Sequence, residues 1–294
     1  MKHILVAGGS GNIGSFLKKT FSPNDFIFIS SKDCDLISND SIKEYFTHSK
    51  KFDILIYLVG LAHRKGKKSD LNEFNNVNYE TLVNLLTFLG SVSKLPDKII
   101  FASTTSVYGE KYDQIIYDEN TMPKPFSPYA ITKLKAEEYL LKNYSERSWI
   151  IRFASSYSPE FLINIYRRTK IGGRFYKVGK GVKKLSLCSF ENIRVAFQEI
   201  VNENVPIGVY NLSDTKHYSY NELLAWQGAS FTLRVPKNIV KILYYFGKLF
   251  GNNFLKENTI KLLTDNIYPN NKITAFIELP YVLNDVQQNH SGIL

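Results

Sequence analysis

Apolar residues in this chain cluster in short, nearly unbroken runs, separated by stretches whose apolar positions recur at helical spacing. Ile4-Leu5-Val6-Ala7, Phe26-Ile27-Phe28-Ile29, Phe52 to Gly60 and Lys98-Ile99-Ile100-Phe101-Ala102 read as strands. Continuous rather than alternating runs suit strands of a parallel sheet, which are buried on both faces. Ser15-Phe16-Leu17-Lys18-Lys19, Ser41 to Phe46 and Asn78 to Leu89 read as the intervening helices. Strands alternate with helices through residue 154, which predicts an α/β fold, a Rossmann-type doubly wound parallel sheet. The first domain is expected over 1–160. A smaller substrate-binding lobe is expected over 161–294, with some segments returning to the sheet.

A loop containing Pro123, Pro125 and Pro128 precedes another periodic run, Leu134 to Leu141. Ser127 is suited to cap a helix and Pro128 to open it. On that helix Tyr129 and Lys133 stand at i and i+4, one turn apart on one face. A free tyrosine titrates near pH 10. A nearby ammonium favours the phenolate, which makes such a pair an apt proton carrier.

The first strand runs into Gly8-Gly9-Ser10-Gly11-Asn12-Ile13-Gly14 and then a helix. Gly8, Gly11 and Gly14 allow a tight turn, close backbone approach to a pyrophosphate and close helix–strand packing. The helix start adds N–H donors and a positive dipole end. The second strand ends in Ser30-Ser31-Lys32, with Asp33 and Asp35 just beyond. An acid at this place usually holds the adenosine ribose of NAD, and a base accommodates a 2′-phosphate. Ser30 and Lys32 tilt the expectation toward NADP over NAD.

Composition narrows the class. The chain has 294 residues, 44% hydrophobic and 22% charged, as ordinary globular proteins do. Two cysteines, Cys34 and Cys188, give no disulfide framework and suit a reducing compartment. The sequence opens with no signal-peptide pattern, and no apolar run reaches membrane-span length. A cytoplasmic protein with no integral membrane segment is expected. The net charge is +10, and most of the excess lies in 151–294, which holds 18 basic and 10 acidic residues. It peaks between Arg167 and Lys184, a stretch suited to an anionic ligand. Few aromatics interleave there, Phe175 and Tyr176 aside, so nucleic acid is not expected as a partner. The five histidines lack metal-ligand spacing, and no metal is expected. His63, near a strand end, is read as incidental to the site.

Gly8-x-x-Gly11-x-x-Gly14, then Ser103-Thr104-Thr105-Ser106-Val107-Tyr108-Gly109, then Tyr129-x-x-x-Lys133 together resemble the extended short-chain dehydrogenase/reductases. More narrowly they resemble the nucleotide-sugar epimerase, dehydratase and reductase group, most plainly over about residues 1–160. The resemblance implies that Tyr129 exchanges a proton with a sugar hydroxyl or ketone. It implies that Lys133 lowers the tyrosine pKa and binds the nicotinamide ribose, and that Thr104 hydrogen-bonds the reacting oxygen. Hydride then moves between nicotinamide and the sugar carbon. Implied coenzyme contacts are Gly8, Gly11, Asn12, Ile13, Gly14, Ser30, Lys32, Asp35, Leu36, Leu58, Tyr129 and Lys133. Implied substrate contacts are Ser103, Thr105, Ser106, Ser155, Lys183 and Lys184, the substrate being a nucleotide-sugar. A homodimer through the Tyr129 helix is the implied oligomer.

Thr104 is followed by Thr105 and Ser106, whereas the group's 4,6-dehydratases place acids there, so dehydration is disfavoured. Reduction of a 4-keto-6-deoxy-hexosamine nucleotide for surface polysaccharide is the first expectation. A 4-epimerase is the second, and a non-catalytic NAD(P)-binding regulator is the rival from another class. Ile151 to Pro159 resembles the group's Arg-x-x-Asn-x-Tyr-Gly-Pro segment with Ser155 for the Asn and Ser158 for the Gly. Ser186 to Ile193 resembles its Val-Asp-Asp-like segment, and Leu185 falls where relatives place a diphosphate-binding arginine, with Lys183 or Lys184 as substitutes. Leu233 to Pro236 and the following helix resemble a segment of the reductases. Ile239, Ile242, Leu243, Phe246 and Phe250 are expected to form a core-facing stripe there rather than a membrane-lying one. The polar tail after Pro280 is expected to fray.

Overall fold

Strand β1 (Ile4–Ala7) is wholly buried and lies between two strands that follow it in sequence, which fixes the architecture. The computed structural model describes residues 2–62 and 70–286, with Phe254 described by its backbone alone. His63, residues 64–69 and the tail from 287 onward lie outside the described residues. After β1 come α1 (Asn12–Thr20), β2 (Phe26–Ile29), α2 (Asn39–Thr47), β3 (Ile54–Tyr57) and α3 (Leu71–Asn75). A π-helical turn (Asn76–Glu80) leads to α4 (Thr81–Ser91), β4 (Lys98–Thr104), α5 (Pro128–Asn143) and β5 (Ser148–Phe153). Then follow β6 (Ser155–Tyr157), α6 (Ile163–Thr169), β7 (Lys170–Ile171), β8 (Arg174–Val178), β9 (Lys184–Ser189) and α7 (Phe190–Val201). The last elements are β10 (Gly208–Leu212), β11 (His217–Ser219), α8 (Tyr220–Trp226), β12 (Leu233–Val235), α9 (Lys237–Leu249), α10 (Asn253–Leu263) and α11 (Asn271–Thr274).

The main sheet has six strands in the order β10-β5-β4-β3-β1-β2. Strand β1 pairs parallel with β2 and with β3, and β3 with β4, so Ala7 stands level with Ile29 and Tyr57. The chain leaves β1 to one side for β2 and to the other for β3, which opens a crevice at the carboxyl ends of the strands. The expected doubly wound sheet is therefore present. Two units divide the chain. The first, Met1–Val107, Pro128–Arg152 and Ile200–Tyr210, has a core of Leu5, Leu55, Phe46, Leu82, Phe101 and their neighbours.

The second unit comprises Tyr108–Ser127, Phe153–Glu199 and Asn211–Leu294. It holds two small sheets, β11-β9-β6 and β12-β8-β7. Tyr157, Leu185, Leu187, Tyr218 and Leu223 form one core, and Tyr176, Val178, Val240 and Leu263 a second. Helix α9 departs from the expected packing. Its buried residues are Val240 and Gly247, whereas Ile239, Ile242, Leu243, Phe246 and Phe250 are all exposed. The reason is Gly247: a β-carbon there would lie 2.9 Å from the Lys256 amide nitrogen of α10. The small residue draws α10 onto its own side of α9, and the large apolar residues are left on another.

Candidate active site

The turn after β1 is held by contacts that only glycine allows. Gly8 has φ +93°, and a β-carbon there would lie 2.9 Å from the Val59 nitrogen. The amides of Gly8 and Gly9 both donate to the Ile29 carbonyl, at 3.0 and 2.8 Å. A β-carbon on Gly14 would come within 2.3 Å of the Gly8 carbonyl oxygen, so α1 can pack this close only with glycine there. Gly11 differs, because its β-carbon would meet nothing tighter than 3.4 Å. Space at Gly11 is thus not needed by the fold and remains for an approaching group. Gly11 caps α1 without a side-chain bond, and the first turn has no acid. The amides of Asn12, Ile13 and Gly14 at this helix start suit an anion.

At the end of β2 the Ser30 amide and hydroxyl both donate to Asp33 Oδ2, at 2.8 and 2.7 Å. These bonds, the hydroxyl's first, hold the Asp33 carboxyl below its usual range, so it is ionised at neutral pH. The Ser30 hydroxyl proton is therefore already engaged, and the acid of this strand end is Asp33. It is a residue the sequence placed nearby without singling it out. Lys32 is exposed beside it. Asp35 accepts from the Ile37 amide at 3.0 Å, and Leu36 is buried in the first unit's core. Leu58 donates its amide to Ala7 and lies against Gly8.

Helix α5 begins at Pro128 and carries Tyr129, half-buried, in its first turn and Lys133 one turn on. Lys133 is 2% exposed, and its Nζ donates to the carbonyls of Val59 (3.0 Å) and Ala102 (2.9 Å), just beyond β3 and within β4. It also stands 4.7 Å from the Phe101 ring centroid. A β-carbon on Gly60 would sit 3.1 Å from this Nζ, so Gly60 leaves room for the lysine. Burial lowers the Lys133 pKa to about 7, with Glu137 pulling it partly back. A neutral amine has two donors, and both carbonyl bonds would use them. Only the ammonium has a third donor for a ligand.

Thr104 ends β4, and its hydroxyl accepts from the Ser106 amide at 3.2 Å. Strand alternation sends the preceding Ser103 to the opposite face. There its hydroxyl donates to Glu137, which is itself paired at 2.6 Å with Arg152, both side chains buried. Ser103 thus belongs to an internal ionic cluster beneath α5, while Thr105 is buried in the turn that follows. Asn78, read from sequence only as the start of a helix, is wholly buried in the π-helical turn. Its Oδ1 accepts from the Leu61 amide at 2.6 Å, and its Nδ2 donates to Thr132 at 3.0 Å. It ties the segment after β3 to the helix bearing Tyr129 and Lys133. A π-turn at such a place often marks a functional site.

In the second unit Ser155 accepts from Arg168 Nη2 at 3.0 Å. Lys183 faces Asp265 at 3.7 Å, and Lys184 is exposed. Lys183 lines a cavity of about 210 Å³ together with Tyr112, Lys237 and Lys241. Leu185 points into this unit's core. Glu110 is buried with Tyr268 donating to its Oε1 at 2.7 Å and Lys261 at 3.2 Å.

The first-unit residues form one linked row. Gly8 touches Leu58 and Val59, Val59 accepts from Lys133, Lys133 reaches Ala102, and Thr104 follows two residues on. The glycine turn, the ionised Asp33 and the one remaining donor of a protonated Lys133 could hold a dinucleotide's phosphates, ribose and nicotinamide end. Over 213 residues the chain is 31% identical to N-acetyl-alpha-D-glucosaminyl-diphospho-ditrans,octacis-undecaprenol 4-epimerase of Escherichia coli O157:H7, covering 69% of this chain and 61% of that relative. It is 25% identical over 263 residues to mouse dTDP-D-glucose 4,6-dehydratase, covering 76% and 71%. The UDP-glucose 4-epimerase of Thermus thermophilus, solved with NAD, shares the fold at a TM-score of 0.72 and 17% identity, over 97% of this chain and 96% of that one. Residues 4–192 match the NAD dependent epimerase/dehydratase family, so this chain, with its glycine turn and its Tyr129–Lys133 helix, belongs to that family.

Proposed function

We propose that this protein is an NAD-dependent 4-epimerase of a sugar carried on a diphosphate, a nucleotide-sugar in the first instance. The observation that carries the reading is the row from the glycine turn through Val59, Lys133 and Ala102 to Thr104, with Tyr129 one turn from Lys133. Bound NAD supplies reversible hydride acceptance beside the sugar carbon. Tyr129 takes the proton of the 4-hydroxyl through its phenolic oxygen and later returns it. The third N–H of the Lys133 ammonium favours the phenolate and holds a ligand hydroxyl. Thr104 orients the reacting oxygen. No carboxylate follows Thr104 to eliminate water, which argues against dehydration.

Asp33 supports NAD over NADP: its ionised carboxylate accepts from ribose hydroxyls and repels a 2′-phosphate. A retained NAD suits epimerisation, which ends with the coenzyme in its starting state. The exposed Lys32 is the observation favouring the other reading, an NADPH-dependent 4-ketoreductase of a 6-deoxy-hexosamine nucleotide.

The test incubates the protein, without added coenzyme, with UDP-glucose, UDP-N-acetylglucosamine and a polyprenyl-diphosphate N-acetylglucosamine, and separates the 4-epimers by chromatography. The last substrate is included because the Escherichia coli relative bears that name. Interconversion that is abolished in Tyr129→Phe, with NAD affinity kept within a few-fold, supports the proposal. Stoichiometric loss of NADPH absorbance with a UDP-4-keto-6-deoxy-hexosamine, and no epimer formed, replaces it with the reductase.

A further inference from the structure

The apolar face that α9 leaves open is a built surface. Ile239, Ile242, Leu243, Phe246, Leu249 and Phe250 recur at three- and four-residue steps and so form one stripe. Ile242 is 67% exposed and Leu249 80%. Phe246 and Phe250 lie against each other, their rings tilted by 37° and their centroids 4.3 Å apart. The stripe is not a frayed end, because Val240 and Gly247 pin the helix to its neighbour along its length. Soluble surfaces rarely display so many large apolar side chains in one row. Among the described residues no helix is long and apolar enough to cross a membrane.

Charge decides what covers it. From Leu223 to Lys256 the sequence has no Asp or Glu, and it carries Arg234, Lys237, Lys241, Lys248 and Lys256. Lys237, Lys241 and Lys248 fall on the side of α9 opposite the stripe, counting 100° per residue. That is the pattern of a helix lying in a lipid interface. The far side of such a helix is about 10 Å from the lipid, comparable with the Debye length at physiological salt, so these charges still feel anionic headgroups. A second copy seated on the stripe would instead bring two like-charged segments together.

We propose that α9 docks this protein on the surface of bilayers containing anionic phospholipid, with the stripe inserted at the boundary of headgroups and acyl chains. The test is flotation of the full chain with vesicles of phosphatidylcholine and phosphatidylglycerol at 3:1, against phosphatidylcholine alone, in about 0.1 M salt. The wild-type protein is expected to float with the acidic vesicles, to float less with the neutral ones, and to be released in part as salt rises. The double variant Ile242→Ser, Leu249→Ser is expected to lose at least tenfold in partitioning with its thermal unfolding unchanged, since both side chains are already exposed. Lys248→Glu is expected to weaken acidic-vesicle binding while leaving the apolar stripe whole. Wild-type protein that stays unbound overturns the proposal, as does equal flotation of the double variant. A dimer that does not float and that the double variant dissociates also overturns it, and makes the stripe a seam between copies.

Discussion

The Nζ of Lys133 lies 3.0 Å from the carbonyl oxygen of Val59, a residue 74 positions earlier in the chain. The same nitrogen is bonded to Ala102, so one buried amine bridges β4 and the segment just beyond β3 and has a single donor left when protonated.

That arrangement gives stability a pH dependence. Burial lowers the Lys133 pKa in the folded chain to about 7, against 10.5 for an ordinary lysine. Between pH 7 and 9 the folded state releases this proton while the unfolded state keeps it, so stability rises with pH across that window. The contribution is about 2 to 3 kcal/mol. Denaturant unfolding of wild type and Lys133→Met at pH 7 and pH 9 measures it. The increment should be present in wild type and missing in the variant. An equal pH response in both would show that another group titrates.

Gly11 and Gly14 should respond differently to one methyl group. Gly14→Ala sets a β-carbon 2.3 Å from the Gly8 carbonyl and should cost about 3 kcal/mol or more of folding stability. Gly11→Ala meets nothing closer than 3.4 Å and already has φ −72°, so its stability should stay within about 1 kcal/mol of wild type. Its NAD affinity should nonetheless fall at least roughly tenfold, because the methyl fills the space left for the phosphates. Thermal melts and coenzyme titration separate the two effects.

Removing the Glu137 carboxylate takes the 2.6 Å ion pair from a buried cation. Glu137→Ala leaves Arg152 and Ser103 without their shared partner and should cost about 3 to 5 kcal/mol. The double variant Glu137→Leu, Arg152→Met removes both charges and should recover most of that loss. If the double variant is no better than the single, the loss comes from packing and not from the lost ion pair.

Coenzyme choice should hinge on Asp33. Asp33→Asn keeps an acceptor for Ser30 but removes the negative charge. The ratio of NADP to NAD affinity should rise at least roughly tenfold, read by titration with each coenzyme. An unchanged ratio would move the ribose contact elsewhere.

Sequence patterning carried β1 to β4, and most plainly β1, β3 and β4, which are buried on both faces and have no polar side to confuse the period; it did not single out β10, which joins the same sheet from much later in the chain. It carried the glycine turn because backbone clashes at Gly8 and Gly14 leave no other residue type. Elsewhere composition was silent about direction. Ser103 and Thr104 are adjacent hydroxyls of one strand, and only the alternation of the folded strand sends Ser103 to Glu137 and Thr104 the other way. The stripe on α9 has a clear helical period, but a period does not say what faces it. Gly247 settled that through a contact with α10 that no local pattern contains. Asn78 was hidden for a similar reason: its partners, Leu61 and Thr132, are brought to it by the fold.

One carbonyl, that of Ile29, accepts from both Gly8 and Gly9, and the next residue, Ser30, is hooked to Asp33. If the proposed coenzyme site holds, the turn that would take the phosphates and the hook that would take the adenosine end meet at the backbone of Ile29 and Ser30. A lineage that exchanged one coenzyme for the other by rebuilding this hook would disturb the phosphate cradle in the same step. Such a switch is expected to pass through variants that bind both coenzymes weakly, and compensating changes should gather around Ile29 rather than in α5.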